Sequence, residues 1–105
     1  MENYEVSEFP KLDRDSLIEI LTEELPILRA KIGISQEEVS NVVGISRQTY
    51  NAIETGKRKM SWSTFLSLTL LYGYNEKTTS IVEASGAFPI SLKQTLSINR
   101  RKRDE

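Results

Sequence analysis

The fold of this chain follows from residues 33–56, which read GISQEEVSNVVGISRQTYNAIETG. Glycines and Ile-Ser pairs divide this stretch into two short segments, each with the signals of a helix start. Ser35 can cap the first helix, and Glu38, three residues later, completes a capping box. Ser46 can cap the second helix, and Gly44 separates the two, because glycine adopts a left-handed backbone at little cost. The pattern predicts a helix-turn-helix.

The second of these helices, at about residues 46–54, is predicted to be amphipathic. Because successive helical residues lie about 100 degrees apart, Thr49, Tyr50 and Ile53 share one face that can be buried. The opposite face carries Arg47, Gln48, Asn51 and Thr55. Arginine suits guanine in the major groove, and glutamine or asparagine suits adenine. We therefore predict that Arg47, Gln48 and Asn51 read DNA bases, with Arg47 at guanine and Gln48 or Asn51 at adenine.

Residues on either side of this helix fit contacts to the DNA backbone. Gln36 lies in the first turn of the preceding helix, where its amide and the free backbone N–H groups can hold a phosphate. A basic loop follows the second helix, and its cations would add affinity without sequence information. Any surface helix has a polar face, so this face alone does not indicate DNA binding. The flanking residues are what favour the DNA-binding interpretation. The predicted backbone contacts are Gln36, Ser46, Thr49, Thr55, Lys57, Arg58 and Lys59.

Upstream of the helix-turn-helix, apolar residues recur at three- and four-residue steps as far as Ile32. This spacing predicts a first amphipathic helix with Asp15 as its N-cap and Gly33 as its end. Pro26 lies inside the pattern and removes a backbone hydrogen bond, so we expect a kink or a break near Glu24.

Downstream, Ser61 is predicted to cap a fourth helix that ends at Gly73, and Asn75 a fifth from Glu76 to about Ala84. The predicted fold class is therefore all-α, with five helices that include a helix-turn-helix.

The chain is predicted to consist of one such domain with two extensions. The helix-turn-helix domain spans residues 15–86, after a flexible N-terminal arm at residues 1–14. Residues 87–105 form a C-terminal extension. It is predicted to contain a possible dimerisation arm, in which apolar residues roughly alternate with polar ones, and a disordered basic tail.

Composition narrows the possible functions. The chain has 105 residues and neither cysteine nor histidine, so thiol nucleophiles, imidazole bases and zinc fingers are excluded. We expect no enzymatic activity, cofactor, metal or small-molecule ligand. The net charge of −1 conceals −6 in residues 1–28 and +3 in residues 29–59. No apolar run is long enough for a membrane span and no secretory signal is evident, so a cytoplasmic protein is expected.

Residues 28–56, LRAKIGISQEEVSNVVGISRQTYNAIETG, resemble the phage-repressor-like helix-turn-helix family, the Cro/C1 or Xre family of bacterial and phage regulators. The resemblance continues to about Val82. It implies a five-helix repressor-like DNA-binding domain, in which the second and third helices bind DNA. By position it implies a phosphate contact for Gln36, contacts to bases or nearby phosphates for Arg47, Gln48 and Asn51, and backbone contacts for Lys57 and Lys59.

Three residues depart from the family pattern. Ala52 replaces a frequently longer polar residue, which leaves at most a methyl contact to thymine. Val42 occupies a usually polar surface position, where it either touches another subunit or is an isolated exposed residue. Pro26 is unusual in the first helix.

These features together predict a sequence-specific transcriptional regulator that binds double-stranded DNA as a homodimer and represses by occlusion. Two copies are expected because one short helix touches too few base pairs for useful discrimination. The expected dimer surface is the fourth and fifth helices with residues 87–99. The alternative is an antitoxin-like or adaptor protein that uses the same fold mainly to bind another protein.

Overall fold

The computed structural model describes residues 12–87 and Ser97. This part of the chain forms five α-helices and no strand, which confirms the predicted all-α architecture: α1 (Arg14–Ile32), α2 (Gln36–Val43), α3 (Arg47–Glu54), α4 (Trp62–Tyr74) and α5 (Thr79–Ser85). Among these helices, none is long and apolar enough to cross a bilayer. Most of the predicted N-terminal arm and C-terminal extension lies outside the described residues, so both stay predictions.

Helix α1 begins earlier than predicted, because Asp13 rather than Asp15 is its N-cap. The Asp13 carboxylate accepts the Ser16 backbone N–H at 3.2 Å and the Ser16 hydroxyl at 2.8 Å. These two hydrogen bonds lower the pKa of Asp13. Asp15 instead lies in the first turn, where the helix dipole favours a negative charge. The cap prediction was wrong because both aspartates precede the apolar pattern, and only Asp13 has a serine three residues on.

Helix α1 is continuous through Pro26, so of the two predicted alternatives the break is wrong, and the kink stays a prediction. Pro26 lies on the exposed side of the helix, whereas Leu21, Leu25 and Leu28 are fully buried on the other side. A proline inside a helix costs about 3 kcal/mol, and each buried leucine contributes about 1.5–3 kcal/mol. Burial of leucines on both sides of the proline therefore outweighs the lost hydrogen bond.

The hydrophobic core lies between α1 and the other helices. Helix α1 packs against α3, α4 and α5, and α2 packs against α3 and α4. All five helices contribute fully buried apolar side chains to this core, namely Tyr50, Tyr72, Phe65, Leu21, Leu25, Leu28, Ile53, Leu68, Val39 and Val82. The underside of α3 is thus part of the same core that holds α1 and α4.

Helix α4 runs past Gly73 to Tyr74, so the predicted end at Gly73 is wrong by one residue. Gly73 has no positive φ, and the C-cap is Asn75 with an extended backbone. An apolar pattern followed by glycine predicts a left-handed helix end, but here the glycine continues the helix.

The fifth helix begins later than predicted, because residues 76–78 form a turn. The Asn75 side chain does act as a local cap, since it accepts the Lys77 backbone N–H at 2.8 Å, but it caps this turn. Thr78 then precedes α5. The Thr78 hydroxyl is buried and donates to the Tyr72 carbonyl at 2.6 Å, which joins the turn to α4. A contact that reaches back to the preceding helix is not encoded in a local capping pattern.

Candidate nucleic-acid interface

The start of α2 has the predicted capping box. The Ser35 hydroxyl accepts the Glu38 backbone N–H at 3.1 Å, and the Glu38 carboxylate accepts the Ser35 backbone N–H at 2.9 Å. Hydrogen bonding to Ser35 lowers the pKa of Glu38. The cap fixes the point at which the chain enters α2 and so the position of Gln36, its first residue.

The turn between α2 and α3 consists of Gly44, Ile45 and Ser46, as predicted. Gly44 has φ +86°, and the backbone N–H groups of Gly44 and Ile45 both donate to the Ser40 carbonyl, at 2.8 and 3.0 Å. The Ser46 hydroxyl then accepts the Thr49 backbone N–H at 3.0 Å. One helix is therefore closed and the next opened within three residues, which fixes α3 relative to α2.

Helix α3 exposes one polar face and buries the other. Arg47, Gln48 and Asn51 are exposed, and the Arg47 and Gln48 side chains make no hydrogen bond to the part of the chain described. Tyr50 and Ile53 lie in the core. We call Arg47, Gln48 and Asn51 the recognition ridge. The structure brings these three predicted base-reading residues together on one accessible surface.

The three hydroxyl residues predicted at the DNA backbone make local hydrogen bonds. The Ser46 hydroxyl donates to the Thr49 hydroxyl at 2.9 Å, and the Thr55 hydroxyl donates to the Asn51 carbonyl at 2.8 Å. Ser46 and Thr55 are exposed, whereas Thr49 is half-buried. They lie at the two ends of α3, so these bonds help to define where the helix begins and ends.

The predicted basic loop follows α3 and is exposed along residues 57–59. The backbone N–H groups of Lys57 and Arg58 donate to the Ala52 carbonyl at 2.8 and 3.0 Å, so the loop folds back on α3. The Lys59 ammonium forms an ion pair with the Asp15 carboxylate in α1. Lys57 and Arg58 have no such carboxylate partner among the residues described, so their charges are free for an anion.

An ion pair that was not predicted lies beneath the recognition ridge. Arg29 of α1 donates from Nε to Oε2 of Glu54 at 3.1 Å and from Nη2 to Oε1 at 3.2 Å. The Glu54 side chain is only 6% exposed, and the Tyr50 hydroxyl also donates to it at 3.4 Å. The hydrogen bond to Glu54 raises the pKa of Arg29. The pair joins the end of α3 to α1. Its only signal in the sequence is that each of the two helices carries a charged residue within its pattern of apolar residues.

Gln36 lies beside this ion pair and is half-buried rather than fully accessible. Its Nε2 donates to Oε1 of Glu54 and, at 3.2 Å, to Oδ1 of Asn51. The residue predicted to hold a phosphate therefore directs its side-chain NH2 group toward α3. Its position at the first turn of α2, next to the ridge, agrees with the sequence-based placement.

A sequence model of the helix-turn-helix domain matches residues 20–79, more than half of the chain. The protein therefore belongs to this helix-turn-helix family, a DNA-binding family. The matched range includes α2, α3 and the basic loop. No curated protein and no solved structure matches the chain. Membership in this family indicates a DNA-binding regulator.

Proposed function

We propose that this protein is a sequence-specific transcriptional repressor of the Cro/C1 or Xre type that acts in the cytoplasm as a homodimer. The observation that carries the proposal is the recognition ridge, which is exposed on a helix capped at Ser46 and anchored by buried Tyr50. The DNA-binding unit is the domain at residues 15–86, and the two extensions are accessory to it. Bound over a promoter, the dimer would block transcription by occlusion.

In this proposal α3 enters the major groove with the recognition ridge toward the base edges. The Arg47 guanidinium can donate two hydrogen bonds to guanine, and the Gln48 amide can both donate to and accept from adenine. The hydroxyl groups at the ends of α3 and the basic loop would lie along the phosphates and set the register without reading sequence.

The base-reading and backbone roles predict different losses of affinity. Arg47→Ala and Gln48→Ala should each weaken binding to a duplex selected from random sequences for tight binding by about 1–3 kcal/mol. The same variants should have little effect on binding to a scrambled duplex. Lys57→Ala should weaken both complexes and flatten the salt dependence. Fluorescence anisotropy at several salt concentrations measures both quantities, with Ser80→Ala, an exposed change on α5, as the control. Unchanged affinity in all three variants would show that the assigned face is wrong.

The proposed dimer surface lies on α4. Leu66, Leu70 and Tyr74 follow one another at four-residue steps along this helix and are 36%, 71% and 88% exposed. They border a groove whose other wall includes Val82 of α5. Large apolar side chains that form one continuous exposed strip favour an interface with another protein over open solvent. A two-fold pairing would place two α3 helices on half-sites about 34 Å apart.

The dimer is tested by Leu70→Glu, which places a charge in the centre of this strip. Burying one leucine contributes about 1.5–3 kcal/mol, so we expect the dimer dissociation constant to rise at least about tenfold in sedimentation equilibrium. Ile27→Glu is the matched control, because Ile27 is an exposed apolar residue of α1, 56% exposed and outside the strip. A wild-type protein that stays monomeric at high micromolar concentration would contradict the dimer and favour the adaptor alternative.

A further inference from the structure

The exposed Asn51 amide is the last member of a chain of hydrogen bonds that starts at the buried ion pair. Arg29 donates to both carboxylate oxygens of Glu54. The same Oε1 of Glu54 accepts from Nε2 of Gln36, and that nitrogen also donates to Oδ1 of Asn51 at 3.2 Å. Three helices therefore contribute to one connected network that ends at the recognition ridge.

The chemistry of these groups determines which atom donates and which accepts in each hydrogen bond of this network. A guanidinium only donates, and the carboxylate beside it only accepts. Gln36 must therefore turn its NH2 group, and not its carbonyl, toward Glu54. Because the same NH2 group faces Asn51, the Asn51 atom on that side must be its carbonyl oxygen.

The NH2 group of Asn51 consequently lies on the side of the amide that does not face Gln36. That group has no hydrogen-bond partner among the residues described, and Asn51 is exposed. The usual paired contact of asparagine with adenine needs both the carbonyl, which accepts from N6, and the NH2 group, which donates to N7. Here the carbonyl already accepts from Gln36 of α2, which leaves one lone pair, whereas both hydrogens of the NH2 group are unused, so Asn51 offers mainly donors to the groove.

We propose, on the basis of the proposed function, that Asn51 prefers a keto base, guanine or thymine, over adenine or cytosine. Guanine O6 and thymine O4 are acceptors in the major groove, whereas adenine and cytosine place an amino group at the corresponding position. The exposed NH2 group can donate to both O6 and N7 of guanine or to O4 of thymine, but in adenine only N7 accepts, and cytosine offers no acceptor at that position. Gln36 acts as a positioning residue, because both hydrogens of its NH2 group are used within the protein.

The test is a selection from random duplexes with the full chain and three variants. Asn51→Ala identifies the base position in each half-site that depends on Asn51. At that position the wild type should prefer keto over amino bases by about tenfold or more, the scale of one paired base contact. Gln36→Met keeps the side-chain length but removes the polar groups, so the preference at that position should fall to within about threefold while other positions are retained.

Gln48→Met is the matched control, because it removes an exposed amide outside the network and should leave the Asn51 position unchanged. Circular dichroism of each variant checks that the helices are intact. The inference is overturned if the Asn51-dependent position is adenine, if no position depends on Asn51, or if Gln36→Met leaves its preference unchanged. A wild type that enriches no sequence at all contradicts the proposed function as well, which separates the two failures.

Discussion

Replacing Arg29 by methionine should lower the free energy of unfolding by about 2–4 kcal/mol, because it leaves the Glu54 carboxylate buried without its cation. Glu54 is 6% exposed, so water cannot take the place of the guanidinium, whereas Arg29 is 27% exposed. The partners that remain, Gln36 and Tyr50, supply only neutral donors. Urea denaturation at neutral pH measures the loss.

The reciprocal variant provides the control for this prediction. Glu54→Gln should cost less than Arg29→Met, because the remaining guanidinium can reach solvent. The double variant should be more stable than Arg29→Met alone, since no unpaired charge is left in the core. If the two single variants lost the same stability and the double variant lost their sum, the ion pair would not couple α1 to α3 as described.

Replacing Tyr50 by alanine should destabilise the protein by about 3–5 kcal/mol, the range for removing a large aromatic side chain from a core. Tyr50 is fully buried on the underside of α3, and its burial raises the pKa of its hydroxyl. Since domains of this size are stable by only about 5–15 kcal/mol, a large part of the total would be lost. Chemical denaturation followed by circular dichroism gives the value.

Tyr50→Phe separates the ring from the hydroxyl. The hydroxyl donates to Glu54 over a long 3.4 Å, so its removal should cost no more than about 1 kcal/mol. Under the proposed function, Tyr50→Ala should also lose more DNA affinity than Tyr50→Phe, because the buried Tyr50 ring holds in place the helix that carries the recognition ridge. Equal stability of the alanine and phenylalanine variants would contradict the assignment of Tyr50 to the core.

The features that sequence predicted well are those encoded within a few residues. The capping box at Ser35 and Glu38, the left-handed Gly44 and the cap at Ser46 all depend on neighbours at most five positions apart. The helical period likewise places Tyr50 and Ile53 inward without knowledge of what they contact. Both the five-helix architecture and the exposure of the ridge could therefore be predicted.

Several features were missed because contacts outside the local pattern decide them. The start of α5 depends on a Thr78 hydroxyl that reaches the carbonyl of Tyr72 in the preceding helix. The ion pair of Arg29 with Glu54 joins residues 25 positions apart, so neither partner identifies the other. The orientation of the Gln36 amide depends on that ion pair, so it could not be predicted from the spacing of residues either.

The ion pair between Lys59 and Asp15 bears on how strongly added electrolyte would oppose DNA binding. A lysine that is free in the unbound protein displaces a condensed cation when it meets a phosphate, and the entropy gained there makes affinity fall as salt rises. Lys59 must first exchange a carboxylate for that phosphate, which offsets part of its gain. Of the three loop cations, Lys57 and Arg58 would then account for most of the loop's share of the electrolyte sensitivity.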